Sequence, residues 1–152
     1  MNKVVFRCAK EKDILFIRNL VRNSEAIWGF DESFLRIFDE NYNVTTDFIN
    51  ENIAYVMIKD DIILGFWGLI VEEQGAELEY FYIESSQTGK GFGKQLWNHM
   101  EDWCHSNGIR RIDFVTSHPA VEFYKRCGAV LNGTTHSYID GREIPKLYCE
   151  FK

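Results

Sequence analysis

The stretch SSQTGKGFGK, residues 85–94, has glycine at every second position from Gly89 to Gly93, with lysines among and after them. It follows AELEYFYI (76–83), which is typical of a strand, and precedes a helical pattern. Glycine lets the backbone approach a ligand closely and adopt positive φ. The N-terminus of a helix offers unpaired N–H groups and a favourable dipole to an anion. This order of strand, glycines and helix predicts a phosphate-binding loop rather than a solvated glycine-rich turn.

Two familiar phosphate-binding motifs do not fit this loop. A P-loop requires GxxxxGK followed by Ser or Thr, whereas Gly93-Lys94 is followed by Gln95 and position 88 is Thr. The dinucleotide fingerprint GxGxxG would need glycine at position 94 or 96, and neither has it. The loop therefore predicts an anion site of another class.

Length and charge limit the classes of protein. The 152 residues have the usual size of one domain, so residues 1–152 are predicted to form a single domain. A net charge of −6 is unlike a basic nucleic-acid-binding surface. No apolar run reaches the roughly 20 residues of a membrane span, and the first residues lack a secretory apolar region. We therefore expect a cytoplasmic protein with neither nucleic acid nor membrane as a partner.

Cysteine, histidine and aromatic residues carry less specific signals. The four cysteines are far apart and form no CxxC pair, which predicts reduced thiols. The four histidines lack metal-ligand spacing, so no metal is predicted. Aromatic residues make up 15% of the chain, which indicates either a ring-lined cleft or, more commonly, an aromatic core.

Periodicity predicts an α/β fold: a mixed, mostly antiparallel central sheet flanked by helices. Asp60-Asp61 between two apolar runs predicts a hairpin, and Thr45 or Thr46 is predicted to cap a short helix. A first strand (3–8) and helical segments precede a three-stranded meander. The order then continues with the glycine loop, a helix, a strand, a helix opened by Pro119, and two closing strands. The predicted strands after the helical opening are 54–59, 62–71, 76–83, 112–116, 129–133 and 146–151.

Two segments resemble motifs of the GCN5-related N-acetyltransferase (GNAT) superfamily. TGKGFG (88–93) resembles the pattern Gln/Arg-x-x-Gly-x-Gly/Ala, and PAVEFYKRCGA (119–129) resembles Ala-x-x-Phe-Tyr-x-x-x-Gly-Phe/Ala. The predicted elements also follow the order of that superfamily over nearly the whole chain. Two positions depart from the patterns: Thr88 stands at the Gln/Arg position, and Ser117 stands where an Asn often precedes the second motif.

The resemblance implies an acyl-CoA N-acyltransferase fold that uses acetyl-CoA as co-substrate. In the superfamily the glycine loop wraps the pyrophosphate, and the main chain of the preceding strand pairs with pantetheine. Carried over by matched position, the cofactor-binding residues are Phe81, Tyr82, Ile83, Thr88, Gly89, Lys90, Gly91, Phe92, Gly93, Lys94, Ser117 and Tyr124.

The resemblance also implies catalytic roles. Tyr124 matches the usual general acid for the leaving thiolate, although a core tyrosine would occupy the same helix face. The N–H of Ile83 is the candidate donor to the thioester carbonyl. Alternation places Glu77 and Glu79 on one strand face with Phe81 and Ile83. Either carboxylate is a candidate base; a wet sheet face, a counterion for a substrate ammonium, or water as the base are the alternatives.

The acceptor is not encoded in these motifs. Candidate lining residues are Trp28, Phe30, Trp67 and Arg142, with Phe34 and Tyr138 beside them. Core packing explains the aromatic residues equally well, and Arg142 either binds a substrate carboxylate or decorates a turn. We expect N-acetyl transfer to a primary amine of a small molecule by a homodimeric enzyme. A protein or peptide acceptor, a non-catalytic acyl-CoA sensor and a structural dimer module are the alternatives.

Overall fold

The computed structural model describes residues 3–26, 31–84, 91–137 and 141–151. Its strands form one seven-stranded sheet in the order β1-β2-β3-β4-β5-β7-β6. Neighbouring strands are antiparallel except β4 and β5, which run parallel. The strands are β1 Val5–Cys8, β2 Ile53–Lys59, β3 Ile62–Glu72, β4 Gly75–Ile83, β5 Arg111–Val115, β6 Val130–His136 and β7 Glu143–Glu150.

Helices flank this sheet, which confirms the predicted mixed α/β fold. Within the described residues they are α1 Ile14–Ala26, α2 Glu32–Asn41, α3 Thr46–Glu51, α4 Phe92–Ser106 and α5 Val121–Arg126. The Thr45 side chain accepts a hydrogen bond from the N–H of Phe48, so the predicted cap of the short helix is confirmed at Thr45. None of these described helices is long and apolar enough to cross a membrane.

The β2–β3 hairpin shows how a local signal sets the chain direction. Asp60 and Asp61 have φ of 54° and 64°, in the left-handed region. Two such residues form the type of tight turn that matches strand twist, and Asp tolerates this conformation better than most residues. The predicted hairpin is therefore confirmed.

Each face of the sheet carries its own apolar cluster. On one face the strands pack against α4 and α5; this cluster includes Leu69, Leu96, Trp97, Met100, Ile112 and Leu147. On the other face they pack against α1, α2 and α3; this cluster includes Ile17, Val21, Phe38, Ile49, Val56 and Phe66. We call these the α4 face and the α1 face of the sheet.

A β-bulge at Glu79 reverses the side-chain alternation of β4. Leu78 pairs with Leu69 and Tyr80 pairs with Gly68, so Glu79 has no partner in β3. Ala76 and Leu78 lie on the α4 face before the bulge, and Phe81 and Ile83 lie on the same face after it. Tyr80 and Tyr82 lie on the α1 face. The prediction that Glu77 shares a face with Phe81 and Ile83 is therefore wrong, because an extra residue interrupts the period of two.

Beyond the bulge, β4 and β5 separate. Their pairing consists of Ala76 with Ile112 and Glu77 with Asp113. The rest of β4 therefore has no strand partner on the side of β5 among the described residues. We call the space between Leu78–Ile83 and Phe114–Val115 the β4–β5 opening. It leaves main-chain groups of a central strand available to a ligand.

Candidate active site

The N-terminus of α4 has the features of an anion site. Gly91 is its N-cap with φ of 82°, which favours glycine, and the cap residue has no side chain to accept from the first N–H groups. No acidic residue lies in the first turn, and Lys94 is exposed there. A phosphate fits this end of the helix by charge and by hydrogen-bonding capacity. The predicted contacts Thr88, Gly89 and Lys90 lie outside the described residues.

Gly93 has a packing role. A Cβ atom at Gly93 would lie 2.9 Å from the Phe123 ring, which is closer than real Cβ contacts. The missing side chain therefore lets α4 approach α5. The two sequence motifs meet at this contact between Gly93 and Phe123, which are 30 residues apart.

Phe92 is buried in the α4-face cluster, with the Lys59 ammonium 5.2 Å from its ring centre. Only its main chain is therefore suited to a ligand. Ser117 precedes a 3-10 turn (His118–Ala120) and its hydroxyl forms no capping hydrogen bond. Its position just after β5 places it at the end of the β4–β5 opening.

The end of β4 presents main-chain groups to the β4–β5 opening. The N–H of Glu84 donates to the carbonyl of Leu64 in β3 at 2.7 Å. Successive N–H groups of an extended chain point to opposite edges, so the N–H of Ile83 is directed away from β3. The Ile83 carbonyl accepts from the Ser24 hydroxyl at 3.0 Å, which fastens α1 to this strand end.

Tyr124 lies under the opening, packed among aromatic rings. It is 7% exposed, and its ring centre is 4.8 Å from that of Phe114 and 5.7 Å from that of Phe81. Burial raises the pKa of the phenol, while a hydrogen bond with Thr116 lowers it. The hydroxyl therefore lies beside the end of β5 and remains protonated at neutral pH.

Glu77 and Glu79 form a carboxyl pair at the bulge. The pKa of Glu79 is raised from 4.5 to about 7, mainly by burial and in addition by the charge of Glu77 and a hydrogen bond with it. A hydrogen bond with the Tyr42 hydroxyl has the opposite effect. Two carboxyl groups that share a proton are a common way to obtain a carboxylate that titrates near neutral pH.

The α1 face adds a third carboxylate. The Tyr82 hydroxyl donates to Glu25 at 2.7 Å. Burial raises the pKa of Glu25, whereas the bond from Tyr82 and the charge of Arg142 lower it. The Arg142 guanidinium lies 5.4 Å from the Phe34 ring centre. Arg142 and Phe34, two of the residues predicted to line the acceptor site, thus lie on the α1 face near Glu25.

Other predicted acceptor residues are not part of this group. Trp67 is 0% exposed and belongs to the α4-face cluster, where its indole N–H donates to Nδ1 of His99 at 3.1 Å. The prediction that Trp67 lines the acceptor site is therefore wrong, because it alternates onto the packed face of β3. Trp28, Phe30 and Tyr138 lie outside the described residues.

Sequence reasoning missed Glu25 and Tyr42. Glu25 follows Ile17 and Val21 at intervals of four, so a carboxylate continues the buried stripe of α1. An acidic residue at a core-facing position is a signal that could have identified it. Tyr42 carries no such signal, because its contact with Glu79 joins residues 37 apart in sequence.

The comparisons with known proteins agree with this arrangement. The profile of the Acetyltransferase (GNAT) family matches residues 16–129. The chain therefore belongs to the GNAT family of acetyltransferases, whose members carry out CoA-dependent acyl transfer. No curated protein sequence matches the chain at a significant level.

Solved structures with the same fold include the PaiA N-acetyltransferase of Thermoplasma acidophilum in complex with coenzyme A. It has a TM-score of 0.85 and 16% identity, with 98% of this chain and 99% of that chain covered. The ribosomal-protein-S18-alanine N-acetyltransferase of Escherichia coli has a TM-score of 0.74 and 15% identity, covering 99% and 95%. A spermidine N-acetyltransferase SpeG chimera from Vibrio cholerae and hSSAT has a TM-score of 0.73 and 23% identity, covering 97% and 95%. At these identities the likeness establishes the fold.

Proposed function

We propose that this protein is an acetyl-CoA-dependent N-acetyltransferase that transfers acetyl directly to a primary amine of a small molecule. The observation that carries the proposal is the Glu77–Glu79 pair beside the β4–β5 opening. It combines a carboxylate titrating near pH 7 with an unpaired strand edge in a family of acyltransferases.

The residues present fit acetyl-CoA. The uncapped first turn of α4, from Gly91 to Lys94, suits the pyrophosphate. The main chain of Phe81, Tyr82 and Ile83 suits the amide groups of pantetheine, which would pair with β4 as an added strand. When bound, acetyl-CoA supplies the thioester carbonyl that the amine attacks.

Glu79 serves as the base in this proposal. An acceptor ammonium must lose a proton before it can attack, and a carboxylate that titrates near 7 takes that proton at neutral pH. Glu77 holds the pKa of Glu79 high through its charge and its hydrogen bond. Because Glu77 is exposed, it also offers a path for the proton to solvent.

Ile83 and Tyr124 complete the proposed chemistry. The Ile83 N–H donates to the carbonyl oxygen as negative charge develops on it, and one such donor contributes roughly 3–4 kcal/mol. Tyr124 donates its proton to the departing sulfur. Burial raises the pKa of the phenol, which keeps it protonated but makes it a weaker acid, so the transfer requires a thiolate that is itself desolvated beside it.

In this proposal the acceptor is an amine, which binds as an ammonium ion. Carboxylates outnumber cations on the described α1 face near Tyr42, and this negative charge attracts a cation. Glu25, Glu77 and Glu79 all act electrostatically on the Tyr42 hydroxyl, and Arg142 acts on Glu25. Of the solved structures with this fold, one is named as an N-acetyltransferase of a ribosomal protein and another as a spermidine N-acetyltransferase. Both acceptor types therefore belong in a test.

A thiol-release assay with acetyl-CoA tests the proposal directly. The acceptors are single amines, polyamines, amino acids, aminoglycosides and peptides with a free N-terminus. Release with one small amine class, lost in Glu79→Gln, supports the proposal. Release with peptides alone would assign a protein acceptor instead. Calorimetric binding of acetyl-CoA without release for any acceptor would identify a sensor, and absence of binding would refute the family function for this chain.

We further propose a homodimer that forms through the outer edge of β6. This strand is last in the sheet order and exposes Val130 and Leu131. An unpaired apolar edge is a ready surface for pairing with a second copy. Light scattering should give a molar mass of twice that of one chain. In Leu131→Lys the measured mass should fall to that of a single chain.

A further inference from the structure

Tyr42 both donates a hydrogen bond to the bulge of β4 and accepts one from it. It directly follows α2, and its hydroxyl donates to the main-chain carbonyl of Glu79 at 3.0 Å. In return, the Tyr80 hydroxyl donates to the main-chain carbonyl of Tyr42. The Tyr42 ring packs on Phe38 and Tyr80, with ring centres 5.1 and 5.5 Å away. The end of α2 is therefore fastened to the two residues at which β4 departs from regular pairing.

The bulge needs such a partner. A bulged residue leaves the ladder, so its carbonyl loses the strand partner that a regular β-residue has. A buried carbonyl without a partner is costly, and Tyr42 supplies the hydrogen bond that β3 does not. This contact favours the bulge over a regular strand at Glu79.

The same hydroxyl, which donates to the Glu79 main-chain carbonyl, also lowers the pKa of the Glu79 carboxyl group and so favours its ionised form. Burial keeps the pKa of the Tyr42 phenol well above 10, and the charge of Glu79 acts in the same direction. The phenol therefore keeps its proton and donates it to the Glu79 carbonyl, with its positive end close enough to the carboxylate of the same residue to stabilise the charge.

Resting on the proposed function, we infer that Tyr42 is a positioning residue for the base. It donates to the Glu79 carbonyl, which holds the bulge that takes Glu79 out of the ladder, and its hydroxyl stabilises the ionised Glu79 side chain. Tyr42 does not contact the reacting atoms; it acts through Glu79.

The charged and titratable groups around Tyr42 and Glu79 determine whether the pKa of Glu79 rises or falls when Tyr42 is replaced. Glu77 on β4 and burial raise the pKa of Glu79, and Tyr42 lowers it. Glu25 of α1 and Tyr80 act on Tyr42, and Arg18 of α1 acts on Tyr80. Removing the Tyr42 hydroxyl leaves the groups that raise the pKa of Glu79 and deletes the hydrogen bond that lowers it.

The first test reads the carboxyl group itself and needs no acceptor. Protein labelled with ¹³C at glutamate carboxyls is titrated by NMR, and the Glu79 resonance is assigned by its loss in Glu79→Gln. Tyr42→Phe should raise the midpoint by about one pH unit, because a hydrogen bond to a charged group is worth that much. The control Tyr55→Phe, a tyrosine on β2, should leave it in place. An unchanged or lowered midpoint in folded Tyr42→Phe overturns the inference.

If Tyr42→Phe does not fold, Tyr80→Phe provides the test. It removes the bond to the Tyr42 carbonyl and loosens the tyrosine without deleting its hydroxyl. A smaller rise in the Glu79 midpoint is expected, and no rise overturns the inference.

The second test uses kinetics with an acceptor found in the amine panel. In Tyr42→Phe the acid limb of kcat/KM should move upward by the same interval as the NMR midpoint. In a Glu79→Gln background, Tyr42→Phe should cause no further shift. An equal loss of activity in both backgrounds, with no movement of the limb, would mean that Tyr42 is only structural. If no acceptor is acetylated, the proposed function fails while the NMR titration still decides the role of Tyr42.

Discussion

At Glu79 the ability to accept a proton at neutral pH competes with the stability of the fold. Its pKa of about 7 exceeds the ordinary 4.5, so the folded protein holds a proton that the unfolded chain releases between these values. Stability from this group is therefore greatest at low pH and is lost as pH rises toward 7. A carboxylate suited to accept a proton at neutral pH is thus one that weakens the fold above neutral pH.

Replacing Glu79 should separate activity from stability. Glu79→Gln should reduce kcat/KM by about 10²–10⁴-fold, the usual contribution of a general base. The same change should raise the free energy of unfolding at pH 8 by about 1 kcal/mol, after allowance for solvent screening. Urea unfolding at pH 8 and pH 4 measures the second effect, which should nearly vanish at the lower pH because it lies below both pKa values. A variant that is fully active would exclude Glu79 as the base.

Glu77→Gln serves as the matched comparison. Removing the neighbouring charge should lower the pKa of Glu79, so the acid limb of kcat/KM moves to lower pH while activity near pH 8 is kept. Loss of activity at every pH would instead assign the base to Glu77.

The proposed role of Tyr124 as proton donor is tested by removing its hydroxyl group. Tyr124→Phe keeps the ring packing against Phe114 and Phe81 and removes the hydroxyl. We expect kcat to fall by about 10²–10⁴-fold, a much larger effect than any change in acetyl-CoA affinity. With an acyl donor whose leaving thiol is more acidic, kcat of the variant should fall less, because that thiolate leaves more readily without being protonated. Equal losses for both donors would point to a packing role.

At the scale of elements, the contact between α4 and α5 joins the two motifs. Gly93→Ala places a methyl group 2.9 Å from the Phe123 ring, so α4 must shift or the ring must turn. We expect the free energy of unfolding to fall by about 1–3 kcal/mol and acetyl-CoA affinity to fall with it. Asn98→Ala, an exposed change on the same helix, should alter neither by more than about 0.5 kcal/mol. Wild-type affinity in Gly93→Ala would show that this contact does not shape the anion site.

The elements were largely predictable because their signals are local. The turn at Asp60-Asp61, the cap at Thr45 and the apolar stripe of α4 each depend on neighbours within a few residues. The bulge at Glu79 was not predictable, since AELEYFYI alternates well enough in either register. Its hydrogen-bond partner is Tyr42, which is near Glu79 only in space. Trp67 was misassigned for a related reason: both faces of the sheet are covered by helices, and an aromatic residue in a strand does not reveal which of the two it packs against.

At the scale of the whole molecule, His99 of α4 joins the helix to three strands. Its ring stacks on Phe6 of β1 at 4.0 Å, meets the Tyr55 ring of β2 edge-on, and accepts from Trp67 of β3. Because Nδ1 accepts a hydrogen bond, the ring is neutral with its proton on Nε2. Burial lowers the pKa of His99 below 6.5, although Asp102 opposes this.

The pH dependence of folding should reflect this histidine. Its lowered pKa means that the unfolded chain binds the proton first, so stability is full above about pH 6.5 and is lost as pH falls through the folded pKa. Glu79 acts in the opposite direction, so wild type is compared with His99→Phe. Between pH 7.5 and 5, wild type should lose about 0.5–1 kcal/mol more than the variant, after solvent screening. Trp fluorescence in urea measures this, with exposed His118→Ala as control, and equal losses would contradict it.

The bulge has a consequence for how this protein can change. Without Glu79, Leu78 would precede Tyr80 in a regular strand, and every neighbouring side chain would keep the face it now occupies. Glu79 is thus structurally an insertion, because the alternation of β4 does not depend on it. A different side chain at this position would leave the register of the sheet unchanged. The chemistry at the bulge could therefore change in evolution without moving the strands on either side.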